Sequence, residues 1–504
     1  MHRKSARELP IGSPIAFGPV SNGEFEPGPP TARDREAERR FHELARERAA
    51  KTGLSRREFV ASAQGLATAL LVVNQVYGCG SDERVGAVSG PGPDGGAPDG
   101  SISEGGLYDV NDAMTYDADA ACERLGGDEF VFDVQTHHVN PNGAWRTLDP
   151  DWEGFLEGLP QSQCGLADHV DCFSAEAFIR EVFVNSDTAV ACLTGVPVNT
   201  ETDPLGIADR VATRELVNRL ANSQRLLIHA SVLPNRGPAA LDSMQALAEA
   251  QKVSAWKLYT TFGDWQLDDP AIGIPFLERA RATGVKVVCV HKGISGTPLD
   301  YASPGSPRDM AVMAKAYPDF KFLVYHSSWE GRAAEGPYNA ANPQGVDRLI
   351  KAVLDNGLAN TGNLYAELGS TWWNLMTRPT EAAHFLGKLL KYVGEDRIVW
   401  GTDSIWYGSP QAQIAAFRAF QIPPALQQEF GYPALTPEIR RKILGLNGAA
   451  VYGVDPDAVR CKIATDELSQ LKLDPPPWPT GIQYGPRSRR EFLRLLAGGG
   501  HAHG

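Results

Sequence analysis

The residues with chemistry to offer recur at similar places in the chain. Of eleven histidines, five (His137, His138, His229, His291 and His326) fall in or just after short runs of β-branched and aromatic residues. The first such run ends Asp133-Val134-Gln135-Thr136-His137-His138, the fifth Val290-His291-Lys292, the sixth Tyr325-His326-Ser327 and the eighth Gly401-Thr402-Asp403. Side chains two apart on a strand share a face, so Gln135 and His137 converge while His138 points the other way. Imidazole and carboxylate groups from His137, His291 and Asp403, with Gln135 a weaker neutral donor beside them, suit one divalent ion, zinc first. Such an ion lowers the pKa of a bound water toward about 7. Any one of these histidines alone reads as a hydrogen-bonded residue of a packed interior. The set, repeated at the ends of successive strands, reads as a site.

Those ends must be brought together by a parallel fold. Between residues 129 and 452 short β-branched runs alternate with amphipathic stretches, the pattern of a parallel α/β architecture. The runs are 129–136, 188–193, 225–230, 253–259, 285–290, 321–325, 363–368 and 397–402. Helical periodicity fits 174–184, 208–223, 241–251, 274–283, 307–317 and 345–356. Eight strands with crossovers predict a closed (β/α)₈ barrel, whose active sites lie at the C-terminal ends of the strands. An open dinucleotide-binding sheet is the rival, but no G-x-G-x-x-G follows the first strand.

At these residues the chain resembles the amidohydrolase-related family of metal-dependent hydrolases, which includes aminocarboxymuconate-semialdehyde-decarboxylase-like members. Asp133-Val134-Gln135-Thr136-His137 is similar to that family's Asp-x-His-x-His on strand one. His291, His326 and Gly401-Thr402-Asp403 follow in the family's order on strands five, six and eight. The resemblance implies that Asp403 accepts the proton of the metal-bound water and passes it to the leaving group, and that His326 polarises the scissile carbonyl or steadies the oxyanion. The closing segment Ile443-Leu444-Gly445-Leu446-Asn447-Gly448-Ala449-Ala450-Val451-Tyr452 is similar to the family's Ile-Leu-Gly-x-Asn-Ala-x-x-Leu-Tyr. The resemblance spans roughly residues 128–454. Gln135 departs from it, standing where the family has the first histidine of the pair, and the family also contains members that work without a metal. By resemblance Lys257 is either a lysine that orients a substrate anion or a carboxylated ligand bridging two metals.

The expected activity is hydrolysis of a small cyclic or aromatic substrate bearing a carboxylate. Loops after the strands carry Trp145, Trp329, Trp372, Trp373 and Trp406, near Lys257, Lys292, Arg308 and Arg332. Aromatic walls with a few cations suit such a ligand, and local core packing explains the tryptophans equally well. For substrate contact the residues singled out are Lys257, Lys292, Arg332, Trp329 and Trp406. Non-oxidative decarboxylation on the same scaffold is one alternative. A metal-independent lactonase or a non-catalytic binding protein is another.

The rest of the chain bears on location and partners. A net charge of −13 argues against nucleic acid. Residues 1–54 read as a polar region that is disordered or loosely helical. Arg56-Arg57 precedes the apolar run 61–77, a 55–79 segment similar to a twin-arginine signal and too short to span a membrane comfortably. Cys79 closes a lipoprotein-like box, and 80–127 reads as a flexible tether, so export to the periplasm or a membrane-anchored position outside the cytoplasm is expected. The barrel occupies 128–454 and an extended tail 455–504, with a short basic helix around Arg489-Arg490. A homo-oligomer is compatible with all of this. Seven cysteines in 504 residues do not make a disulfide scaffold. Cys164 and Cys172 are a conceivable loop pair, and buried free thiols are an equal reading.

Overall fold

The computed structural model describes residues 12–21, 25–77, 108–196, 202–294, 299–331 and 333–473. Eight parallel strands follow one another around a barrel: β1 (Val131–Thr136), β2 (Thr188–Leu193), β3 (Leu226–Ser231), β4 (Ala255–Tyr259), β5 (Val287–His291), β6 (Lys321–Tyr325), β7 (Leu364–Glu367) and β8 (Ile398–Val399). The ring is joined between β1 and the residues after β8, where Val134 N donates to Trp400 O and Asp403 N to Gln135 O, each at 2.9 Å. The architecture is the expected (β/α)₈ barrel. Its last strand is shorter than the 397–402 run suggests, and Asp403, just beyond that run, turns into the left-handed region at φ 62°.

Alternation along the strands separates two apolar layers. Trp256, Leu258, Val288, Val290, Phe322 and Val324 pack outward under the helices. Ala255, Cys289, Leu323, Tyr325 and Val399 pack inward. Lys257, His291 and Glu367 share the inward parity of their strands, so the polar groups stand on top of an apolar plug. Helices Ile207–Leu220, Gly273–Thr283, Arg308–Ala316 and Val346–Asp355 cover the outside close to their expected bounds.

Of the two readings of the N-terminal region, the described residues take the helical one, and the helix is packed. Residues 32–52 form a helix, α1 (Ala32–Thr52), opened by a capping box between Thr31 and Asp34. Its buried stripe of Ala37, Phe41, Ala45 and Arg48 recurs every three or four residues, and Phe41 meets Phe17 at 5.7 Å between ring centroids. Charged residues on the opposite face masked that stripe in composition. Arg56 and Arg57 begin α2 (Arg56–Val60), capped by Ser55. The apolar run becomes α3 (Ala63–Tyr77), buried along most of its length beside α1 and α4 (Ala118–Leu125). The 80–127 segment thus ends in an ordered, helical part, and its first part, with Cys79, lies outside the described residues. Among the described residues no helix is long and apolar enough to cross a membrane. The tail begins with helices Pro456–Ile463 and Glu467–Leu473, anchored by Asp466 against Arg225 at 2.8 Å. The Arg489-Arg490 segment lies outside the described residues. Cys164 and Cys172 form a disulfide.

If α1 belongs to the cooperative fold, Phe41→Ala should cost about 3–5 kcal/mol, the usual loss for an aromatic core truncation. Thermal or denaturant unfolding of the full chain measures it. An unchanged midpoint would mean that the helix is not part of the folded unit.

Candidate active site

The barrel mouth is organised around one carboxylate. Asp403 Oδ1 accepts from His137 Nε2 and from Gln135 Nε2, both at 2.9 Å, and Oδ2 accepts from the Ser370 hydroxyl. Tyr407 in turn donates to Ser370 Oγ at 2.8 Å. Gln135 and His137 do share a face, as strand parity requires. Burial opposes the charge on Asp403, yet the His137 contact, the nearby histidines and Ser370 together hold its carboxyl well below the usual carboxylate range. Burial also lowers His137, against the pull of Asp403. The pair therefore rests as an anion and a neutral ring.

A second pair stands beside it. His326 Nδ1 lies 2.8 Å from Gly369 O, His326 Nε2 lies 3.1 Å from His291 Nδ1, and His291 Nε2 lies 3.3 Å from Ile294 O. The two end groups are carbonyls, which only accept, so making all three bonds takes three N–H hydrogens on two rings. Two neutral imidazoles carry only two. Burial pushes His326 down to about 4, with Asp403 opposing, and drives His291 well below its ordinary value. At neutral pH the pair is uncharged and one hydrogen short. Taking up a proton completes the chain beside the negative charge of Asp403.

The other sequence candidates divide. Lys257 is buried on the floor, its Nζ 3.7 Å from the Tyr325 ring centroid and 4.6 Å from that of Tyr259. Its charge lowers His137, His291 and His326. Trp406 stacks on His137 at 4.9 Å between centroids. Trp329 is buried, edge-on to Phe25 at 5.8 Å, with the Arg378 guanidinium 5.6 Å from its ring. Lys292 is not brought to the cluster. As the neighbour of His291 in sequence it faces the opposite way, where it is buried against Asp309 at 2.8 Å and Pro304 O at 2.7 Å. Arg332 lies outside the described residues. His138 points away to Thr213 at 2.9 Å, as expected. Arg308 pairs with Asp268 at 2.8 Å.

Three participants escaped the sequence reading: Ser370, Tyr407 and Glu367. Glu367 ends β7 fully buried, and burial, helped by Asp403, pushes its carboxyl up to about 8 against the pull of two backbone hydrogen bonds. The available signal was a glutamate inside the otherwise apolar 363–368 run, directly before Gly369-Ser370.

A catalytic zinc is held by three protein ligands with an open fourth position. The expected set does not provide them here. Asp403 Oδ1 is engaged by two N–H donors, Gln135 brings its amide nitrogen toward that oxygen, and both nitrogens of His291 have other partners. Among the described residues no three His, Cys, Asp or Glu side chains are grouped to hold a metal ion. In this arrangement the side chains named for zinc are hydrogen-bonded to one another and to backbone carbonyls, so an ion here would have to displace those contacts.

Comparison with known proteins places the chain. The amidohydrolase family model matches residues 193–454, just over half of the sequence. The chain belongs to the amidohydrolase family. Solved structures similar to this amidohydrolase include an uncharacterized TIM-barrel protein from Bordetella bronchiseptica (16% identity, TM-score 0.42, covering 64% of this chain and 98% of that one). Others are a 5-carboxyvanillate decarboxylase from Sphingomonas paucimobilis (11%, TM-score 0.42, 65% and 100%) and a dihydroorotase from Saccharomyces cerevisiae (11%, TM-score 0.37, 66% and 86%). No curated protein matches the chain. Members of this family are enzymes that typically use metal ions, hydrolases and decarboxylases among them, which makes Gln135 the informative departure.

Replacing the carboxamide tests that point. The wild-type chain should keep no stoichiometric zinc or cobalt after dialysis, whereas Gln135→His should gain a cobalt absorption band and tighter binding, imidazole being the better donor. Metal analysis showing one tightly held zinc per wild-type chain would overturn that expectation.

Proposed function

We propose that this amidohydrolase is a metal-independent hydrolase of small ring compounds bearing a carboxylate, such as lactones or cyclic amides. The observation that carries the reading is the buried juxtaposition of an ionised aspartate, Asp403, with a histidine pair one hydrogen short of complete bonding. The neutral His291–His326 pair takes the proton of the attacking water and returns it to the leaving group. Asp403 is pinned by three donors and is too weak a base to compete. Its charge instead stabilises the protonated pair, an electrostatic role that is strong in a site shielded from bulk solvent. Lys257 on the floor supplies the positive charge that a substrate carboxylate needs, and Trp406 over His137 gives a flat ring a wall.

Purified enzyme treated with chelator, offered a panel of carboxylated lactones, cyclic amides and aromatic acids, tests this. Loss of the closed ring, followed by chromatography, marks hydrolysis of either class (a lactone also releases a proton, whereas the amine freed from a cyclic amide keeps it), and carbon dioxide release marks the decarboxylase alternative. Asp403→Asn should lower kcat by about 100-fold or more, since it removes a preorganised charge. The proton acceptor works only when neutral, so activity should be flat near neutral pH and fall as pH drops through about 4, where His326 titrates. Turnover that needs added metal, or an Asp403→Asn variant as fast as wild type, would sink the reading.

We also propose export through the twin-arginine route. Arg56 and Arg57 ahead of the apolar run support it, as does the Cys164–Cys172 disulfide, which suits an oxidising compartment. With α3 packed in the fold, the leader would travel as part of the folded protein. Changing both arginines to lysine should leave the protein in the cytoplasm; fractionation showing undiminished export would refute the route.

A further inference from the structure

Glu367 belongs to none of the motifs, yet it sits beneath both halves of the site. Its Oε2 accepts from His326 N at 2.9 Å and its Oε1 from Gly369 N at 2.5 Å. Its backbone carbonyl accepts from Ser327 Oγ at 2.7 Å. These bonds hold an unusual turn. His326, Ser327 and Ser328 have φ values of 63°, 50° and 63°, a run of left-handed residues that L side chains resist. Thr371 adds a hydroxyl donation to His326 O at 2.9 Å, and Gly369 O receives the His326 ring at 2.8 Å.

The carboxyl fits only because two neighbours lack side chains. A Cβ on Gly401 would lie 1.7 Å from Glu367 Oε1, and one on Gly369 would lie 2.6 Å from it. That same point beside Gly369 is 2.5 Å from Gln135 Oε1, so the two side-chain oxygens flank one glycine. Gln135 Oε1 is buried and has no hydrogen-bond partner among the described residues, while the nitrogen of the same carboxamide holds Asp403. Nothing else on β7 reaches both sides.

We propose that Glu367 is a positioning residue of this site: it fixes the left-handed turn that aims His326 at His291, and its carboxyl, packed beside Gln135, sets the carboxamide that orients Asp403. It touches neither substrate nor the reacting atoms. The proposal rests on the acid/base reading above, so its test includes a measurement that needs no substrate.

Glu367→Gln keeps the size of the side chain but replaces one acceptor oxygen with a donor facing a backbone N–H. Nitrogen shifts of the histidine rings in the full-length protein should show His326 with its hydrogen fixed on Nδ1 in the wild type and exchanging between both nitrogens in the variant. On whichever panel substrate is turned over, kcat should fall about 10- to 100-fold, the usual cost of losing an orienting partner, with KM within about twofold. Ser327→Ala, which removes one bond to the Glu367 carbonyl, should shift the His326 signals in the same direction to a smaller extent. If Glu367→Gln fails to fold, Glu367→Asp, which draws the carboxyl back from both backbone N–H groups, decides. An unchanged His326 ring state in the folded variants overturns the proposal, even where thermal stability has dropped. If no panel compound is hydrolysed, the acid/base reading fails while the ring-state measurement still judges Glu367.

Discussion

Everything at the mouth of this barrel depends on keeping one charge, that of Asp403, in a place with almost no water. Burying a carboxylate costs several kcal/mol after relaxation. Hydrogen bonds to a charged group return about 1.5–3 kcal/mol each, so three donors are needed to leave the aspartate ionised. His137, Gln135 and Ser370 are those donors, and each must be oriented from behind. Tyr407 serves Ser370, and the space around Gln135 is kept by Gly369 and Gly401. Removing any donor would leave the others facing a charge they cannot satisfy, which is why so many residues of the mouth are interdependent.

The same constraint underlies the proposed metal-independent reading. A cation could have balanced Asp403 directly, with imidazoles turned toward it. Here the balance comes from N–H and O–H groups, and a carboxamide is well suited to that task. It offers two donors and an acceptor, carries no charge, and does not titrate. The histidine pair bonds along its own axis, between two backbone carbonyls.

Much of this was legible from residue order, and the failures have identifiable causes. Strand parity correctly joined Gln135 to His137 and turned His138 away, because period-two geometry depends on nothing but the local backbone. The same rule, applied to His291 and Lys292, would have placed the lysine outside the cluster. Tertiary caps were invisible: the roles of Ser370 and Glu367 come from left-handed turns whose bonds link β6 to β7 and the segment after β8. Composition misled at the N-terminus. The many arginines and glutamates of α1 line its exposed face, whereas Phe41 and its alanine neighbours carry the packing.

The seam between β1 and the residues after β8 has a consequence for when the protein becomes itself during synthesis. Gln135 and Asp403 are 268 residues apart in sequence, and bringing such distant segments together carries a loop-closure entropy that is met only late in folding. Until then the aspartate has no donors, the histidine pair has no counter-charge, and the first strand has an unpaired edge. A nascent chain or a fragment lacking either end has pieces of the site but no place where they meet. The chemistry therefore switches on with the last act of barrel closure, so that possession of an active centre and completion of the fold are one event.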